Sequence, residues 1–343
     1  MQTFPEHWRR RTPVSVALWP LSMLYGAVVR SRRWLYRSGL LDQARVGVPV
    51  IVLGNLFVGG TGKTPLTLAL ARSLRQSGYS PGILCSGYGG RNSSTAEVSP
   101  HSDPLETGDE PVLLAMSSGC PVWRGKDRVA AARGLMKAHP SCSVLLCDDG
   151  LQHYPLGRDL EIEVLDERGH GNGLLLPAGP LREPASRAVD ARVFNGTRSS
   201  EDHAPTRDGT PVFSMALQPA RLYRLDKPKE SLDWRELQGK ELHAVAGTGN
   251  PQRFFDTLAG LGLRAVHHAF PDHHPFRAED LAFPDCEAVV MTEKDAVKCS
   301  RFKGAGLYAL QVEARLEPAF FDFVTSRLAA RRPGAAGPAS DQG

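Results

Sequence analysis

Along most of the chain, short apolar runs alternate with stretches whose apolar residues recur at helical spacing. Residues 48–53 form an apolar run that reads as a buried strand. A Gly-rich loop follows, and residues 65–76 carry a helical pattern ended by Gly78. The run at 82–85 is a second strand, leading into "SGYGG". Residues 111–117 and 126–139 read as helices, "SVLLCDDG" as a strand ending in acids, and 162–166 as another strand. Strands alternating with helices predict an α/β fold with a parallel sheet. The polar stretch 195–211 predicts a surface loop, and 211–226 alternates as extended structure suited to a linker hairpin. A second α/β unit opens at "KELHAVAGTGNPQRFFDTLAGLGL" as strand, Gly-rich turn and helix, and "EAVVMTEKDAVK" adds a strand and a turn. The pattern divides the chain into an N-terminal helix (1–40), a first α/β domain (41–214), a linker (215–238), a smaller α/β domain (239–331) and a disordered tail (332–343).

Charge changes the picture at the N-terminus. Arg9, Arg10, Arg11, Arg30, Arg32, Arg33 and Arg37 stand against one acid, Glu6, and residues 12–29 are uncharged. As a helix that stretch spans about 27 Å, borderline for crossing a bilayer. Helical spacing places Val14, Ala17, Leu18, Leu21, Leu24, Tyr25 and Val28 on one face, and Ser15, Ser22, Gly26, Arg30, Arg33 and Arg37 opposite. A basic, Trp-containing amphipathic helix lying in a membrane surface fits this pattern better than a span. The alternative is a helix whose apolar face packs on the protein's own core. No small-residue cleavage site of a signal peptide follows.

Bulk composition adds little. The chain has 343 residues, 41% hydrophobic and 23% charged, which is ordinary for one large or two smaller globular domains. A net charge of +4 is too mild to imply nucleic acid as a partner. The six cysteines contain no C-x-x-C pair, which favours reduced thiols over a metal knuckle or redox motif.

The chemistry concentrates after the first strand. "NLFVGGTGKT" resembles the phosphate-binding pattern G-x-x-x-x-G-K-[ST], but Phe57 stands where the first glycine belongs. Phe57, Val58, Gly59, Gly60, Thr61, Gly62, Lys63 and Thr64 are the candidate nucleotide loop. Gly59, Gly60 and Gly62 let backbone N–H groups turn toward phosphate oxygens. Lys63 then reaches the β- and γ-phosphates, and the Thr64 hydroxyl serves Mg²⁺. Strand, loop and G-K-T together leave little to the reading of a plain Gly-rich turn.

Asp148 and Asp149 end an apolar strand, where the acid that holds Mg²⁺ sits in such enzymes; a solvated turn is the alternative. Gln152 and His153 follow closely. Asp109 and Glu110 open a helix, either as capping acids favoured by the helix dipole or as a general base. In "PDHHPF", Asp272, His273 and His274 adjoin; one histidine acting with a distant carboxylate and a solvated loop are equally open. "TEKD" at 292–295 lacks the [NT]-K-x-D spacing that reads guanine, which argues against a GTPase.

Taken in order, "GNLFVGGTGKTP", "SGYGG", "GDEP", "CDDGLQH", "LLPAGPLREP", "AGTGNPQRFF", "FPDHHPF" and "MTEKDAVK" resemble the blocks of tetraacyldisaccharide 4'-kinase, the lipid A 4'-kinase family of Gram-negative bacteria. The resemblance implies a P-loop NTPase-type sheet domain, a smaller α/β domain and a two-stranded linker that permits closure. It implies that position 57 needs no glycine. It also implies ATP, Mg²⁺ and phosphoryl transfer to an acylated glucosamine disaccharide at the cytoplasmic face of the inner membrane. By the same resemblance, Asp109 and His273 match the pair that deprotonates the sugar hydroxyl. Lys63 and Thr64 match the phosphate and metal residues. Asp148, Asp149 and Glu183 match acids near Mg²⁺, and Gln152 and His153 match the neighbouring active-site pair. One block departs: the family carries an arginine where this chain has Ser86, and Arg91 is the arginine at hand to replace it.

Two rival readings stand beside this one. A soluble P-loop enzyme acting on a small metabolite is disfavoured by the basic amphipathic helix. A non-catalytic nucleotide switch is disfavoured by the acid and histidine pair.

Overall fold

The structure, a computed structural model, describes residues 6–196, 208–302 and 306–330. The expected tail at 332–343 and most of the polar loop at 195–211 lie outside the described residues.

Strand β1 (Val50–Gly54) is the axis of the first half. It pairs in parallel with β5 (Val144–Asp148) on one side and β6 (Leu160–Asp166) on the other. Its residues alternate between two cores. Ile51 and Leu53 pack on one face with Leu66, Leu70 and Leu74 of α3 (Lys63–Gln76), while Val50 and Val52 pack on the other with Ala131, Ala132 and Leu135 of α6 (Arg128–Ala138). A strand covered on both faces has no polar side, so its sequence is a continuous apolar run. Each fully buried leucine of α3 contributes about 1.5–3 kcal/mol relative to exposure.

Beyond β5 lie β2 (Pro81–Cys85), β4 (Val122–Arg124) and, antiparallel at the edge, β3 (Ala96–Val98). On the other side β6 is followed by β7 (Ala191–Asn195) and β8 (Val212–Arg224), both parallel. β8 spans the segment where composition changes. It forms a hairpin with β9 (Lys227–Leu232) and an antiparallel seam with β13 (Leu307–Leu316). From that seam a second parallel set continues through β12 (Ala288–Thr292) and β10 (Leu242–Ala246) to the edge strand β11 (Ala265–Ala269). The two parallel halves thus form one continuous sheet across β8 and β13. α7 (Pro251–Gly260) covers the second half, and α9 (Pro318–Ala329) returns to the first, packing Phe320, Val324 and Leu328 into the core beside α3.

The N-terminus holds the short helix α1 (Glu6–Arg9) and the long helix α2 (Pro13–Arg37), begun by a Thr12–Ser15 capping box. The small stripe faces the protein: Ser15, Ser22 and Gly26 are its buried residues. Ser22 Oγ donates to Leu175 O at 2.7 Å, and a Cβ on Gly26 would lie 2.7 Å from Leu175. The apolar face points outward, with Val14, Leu21, Leu24 and Val28 each at least half exposed, joined by Val16, Trp19 and Met23. Packing on the protein's own core is confined to the edge of that face, where Tyr25 is partly buried and its hydroxyl donates to Arg182 O at 3.0 Å. By length and composition α2 also meets the requirement for crossing a membrane.

Candidate active site

Chain order along the sheet reverses at β1, since β5 and β6 lie on its two sides. The carboxyl ends of β1 and β5 therefore face a crevice, the usual ligand position of open α/β sheets. The phosphate-type loop leaves β1 there, and Asp148 and Asp149 stand at the end of β5. Gly59 (φ 109°) and Gly62 (φ 96°) adopt left-handed backbone that other residues avoid. Phe57 does not: the left-handed non-glycine residues among those described are Asp149, His273 and Asp285. Its ring is buried, 4.7 Å beneath the Arg168 guanidinium, and its backbone bridges to Leu181. The pattern breaks at position 57 because the loop enters from an extended, anchored residue that needs no glycine.

No side chain caps the N-terminus of α3, so its first N–H groups are left for an anion. Buried Asn55 braces the loop, donating to Gly59 O at 2.7 Å and accepting from Lys63 Nζ at 3.2 Å. Lys63 Nζ also lies 3.6 Å from Asp149. From across the sheet, Asn195 Nδ2 donates to Thr61 O at 2.8 Å, and its Oδ1 accepts from Arg253 Nη2 of α7 at 2.6 Å. The Gly-rich turn after β10 lies against the loop, and a Cβ on Gly249 would be 3.4 Å from Gly60 N.

Asp148 is buried and receives the hydroxyls of Thr64 (3.4 Å) and Thr67 (3.2 Å). Burial first, then the nearby acids Glu110 and Asp149, push its carboxyl up to about 7 against the pull of Lys63. For Asp149, burial acts upward, but Lys63 and Arg182 outweigh it and hold the group below its usual range. Arg182 reaches Asp149 at 3.1 Å and Gln152 Oε1 at 3.4 Å. Gln152 Nε2 donates to Glu183 Oε1 at 3.0 Å, and buried Glu183 is paired with Arg187. Glu183 thus meets this cluster through its bond with Gln152. His153 accepts the Arg128 backbone N–H at Nε2 (3.2 Å), and burial, aided by Arg128 and Arg158, drives its pKa down to about 4. It is a neutral acceptor at the start of α6.

Among the described residues, no three His, Cys, Asp or Glu side chains form a ready metal cluster. The donors nonetheless fit Mg²⁺, which takes one or two carboxylates and leaves other positions to water and phosphate oxygens. A buried carboxylate held by two hydroxyls beside a second acid is the hard-oxygen environment such a cation relieves.

Asp109 begins α5 (Asp109–Ser118), and its Oδ1 accepts the Glu110 N–H at 2.8 Å, so a helix-terminal bond is present. The same carboxylate meets His273 Nδ1 at 2.9 and 3.1 Å. His273 is held in left-handed backbone (φ 60°) within the turn closed by His274 N to Pro271 O, and the Tyr88 ring meets its edge. Burial disfavours the charged ring, but the bond to Asp109 carries its pKa above the usual imidazole value despite Lys294. Asp109 is shifted down: burial opposes this, and His273, Lys294 and Lys298 outweigh it. The pair lines a cavity of about 230 Å³ together with Gly89, Arg91, Leu105 and Lys298. Arg91 therefore stands at the dyad, whereas Ser86 lies in the preceding loop, its Oγ accepting the Tyr88 N–H.

Asn55, Arg168, Arg182, Asn195, Arg253, Lys294 and Lys298 were not singled out from sequence. Asn55, Arg182, Arg253, Lys294 and Lys298 had a signal, since each lies inside a quoted block; Arg168 and Asn195 had none.

A family model described as tetraacyldisaccharide-1-P 4'-kinase matches residues 14–329. The chain belongs to this kinase family. A tetraacyldisaccharide 4'-kinase from Alkalilimnicola ehrlichii is 50% identical over 334 residues, covering 96% of this chain and 98% of the relative. One from Dechloromonas aromatica is 48% identical over 327 residues, 94% and 96% of the two chains. Among solved structures, the "apo" form of LpxK from Aquifex aeolicus in complex with ATP matches with a TM-score of 0.78 and 30% identity, covering 92% of this chain and 99% of that one. Membership of the tetraacyldisaccharide-1-P 4'-kinase family agrees with the α/β architecture and the block order of the sequence.

Proposed function

We propose that this protein is an ATP-dependent kinase that phosphorylates the 4'-hydroxyl of a tetraacylated glucosamine disaccharide 1-phosphate in lipid A biosynthesis. The observation that carries the reading is the meeting of Asp109 and His273, drawn from remote segments beside a phosphate loop, in a member of this kinase family.

The loop N–H groups and Lys63 bind the phosphate tail and offset charge on the transferring group. Thr64, Asp148 and Asp149 supply the oxygens that would hold Mg²⁺, with Glu183 orienting Gln152. When bound, the cation neutralises phosphate charge. Asp109 and His273 accept the proton of the sugar hydroxyl as its oxygen bonds to the γ-phosphorus and the bond to the β-phosphate oxygen breaks. A histidine that shares its proton with a carboxylate is a better base at working pH than an isolated aspartate.

The exposed apolar face of α2, flanked by arginines, supports seating on an anionic membrane surface, where the acyl chains of the acceptor stay buried. ATP as donor favours the cytoplasmic face of the inner membrane. Residues 41–214 and 239–331 are read as two domains that close over the acceptor about the 215–238 linker.

Incubation with γ-labelled ATP and micellar disaccharide precursor, beside water and soluble sugars, tests the reading. Label in the lipid at the 4' position is the expected result. Label only in inorganic phosphate or in a soluble sugar contradicts it.

A further inference from the structure

The "TEKD" segment cannot read guanine, yet it lies on the dyad. Thr292 starts α8 (Glu293–Cys299), its hydroxyl accepting the Asp295 N–H at 3.2 Å, and Asp295 in turn accepts the Gly247 N–H at 2.9 Å. The start of α8 is thereby pinned to the turn after β10. The side chain this fixes in place is Lys294. Its partly buried ammonium lies 3.0 Å from Glu110 Oε1, 3.0 Å from Asp272 Oδ1 and 3.3 Å from His273 Nε2.

An ammonium donates and cannot accept. It bonds Nε2 only when that nitrogen carries no proton. On the opposite edge of the ring, Nδ1 faces the Asp109 carboxylate, which accepts when ionised. The two contacts are satisfied together by one tautomer. We infer that Lys294 is a positioning residue for the dyad: it holds the Nε2 lone pair of His273, so that the single ring proton stays on Nδ1 against Asp109. This rests on the reading of Asp109 and His273 as the base pair.

The charged groups around the ring make Lys294 specific to this task. Asp109 and Asp272 favour a second ring proton, and Lys294 opposes it at contact distance. Lys298 acts one step removed, at 3.7 Å from Asp109 and 2.8 Å from Asp295. Removing the Lys294 charge leaves the two acids less opposed, and the ring protonates at higher pH. An incoming hydroxyl displaces one of three Lys294 contacts, and the ammonium keeps both carboxylates, so Nε2 is released at little cost.

The test is nitrogen-15 NMR of histidine-labelled full chain, with His273 identified by the signal lost in His273→Gln. Above the acid limb, where the ring is neutral, wild type is expected to show Nδ1 protonated and Nε2 bare. In Lys294→Met the imidazole titrates at higher pH and the acid limb of kcat moves up with it. At neutral pH kcat falls about 10-fold, and KM for ATP is unchanged. Lys294→Arg moves both readouts back toward wild type. A neutral wild-type ring that carries its single proton on Nε2 overturns the inference, and that measurement stands even if the methionine variant does not fold. A folded Lys294→Met protein with wild-type titration and pH limb overturns it equally. Full activity in Asp109→Asn and His273→Ala would instead remove the dyad reading, whatever the spectra show.

Discussion

His273 Nδ1 lies 2.9 Å from an Asp109 oxygen, although 164 positions of sequence separate the two residues. One sits at the start of a helix in the first half of the sheet, the other in a turn of the second half. Their meeting depends on α8 packing against α5, with Lys294 bonded to Glu110 and Lys298 within 3.7 Å of Asp109.

Lys63→Ala is expected to lower kcat by at least ~10²–10³-fold, the loss typical of a major transition-state charge. The thermal midpoint should hardly change, because the lysine contributes one bond to Asn55 and a loose pair with Asp149. Near-normal turnover in the folded variant would remove the phosphate-loop assignment.

Asp148 trades stability for chemistry. Its folded-state pKa is pushed up to about 7, far above the ~3.9 of an unfolded aspartate. Between those values the folded chain holds a proton the unfolded chain lacks, so the site's contribution to stability falls as pH rises through that window. Asp148→Asn should therefore raise the thermal midpoint of the metal-free protein above pH 7. The gain should shrink toward pH 4, and activity should be lost throughout. Calorimetry at several pH values checks this; an equal or lower midpoint at pH 8 would contradict it.

The acid limb of kcat should lie above the ordinary histidine value of ~6.5, because the bond to Asp109 raises the His273 pKa against burial. Asp109→Asn removes the negative charge and should move whatever limb remains to lower pH. A limb in the variant at or above the wild-type position would show that Asp109 does not support the imidazolium.

Leu21→Glu with Leu24→Glu should abolish flotation with anionic vesicles and leave ATP binding intact. Both side chains are more than half exposed, so the body of the protein does not need them. Unchanged flotation would take membrane contact away from α2.

Much of the catalytic half was legible because β1 and β5 are buried on both faces and therefore written as uninterrupted apolar runs. The chemistry of Lys63, Thr64, Asp148 and Asp149 was legible for the same reason, since it sits at the ends of those runs. β7 and β13 were not: Arg192 and Asn195 in one, and Gln311, Glu313 and Arg315 in the other, break the apolar pattern. Residues 293–298 read as a turn but form α8, for which the Thr292 cap was the available signal. The polar residues missed, such as Asn55, Arg182 and Lys294, act by pairing groups from distant segments, and no local pattern encodes that. Phe57 looked like a defect in a motif and is the buried anchor of its loop.

The most direct test is a double-mutant cycle of Asp109→Ala and His273→Ala on kcat, at saturating ATP and lipid, with ATP binding measured separately. Each single variant should lose most of kcat, the double variant should lose little more, and ATP affinity should stay near wild type, because residues acting as one unit are not additive. Fully multiplicative losses would mean that the two residues act independently and that the dyad is not the base.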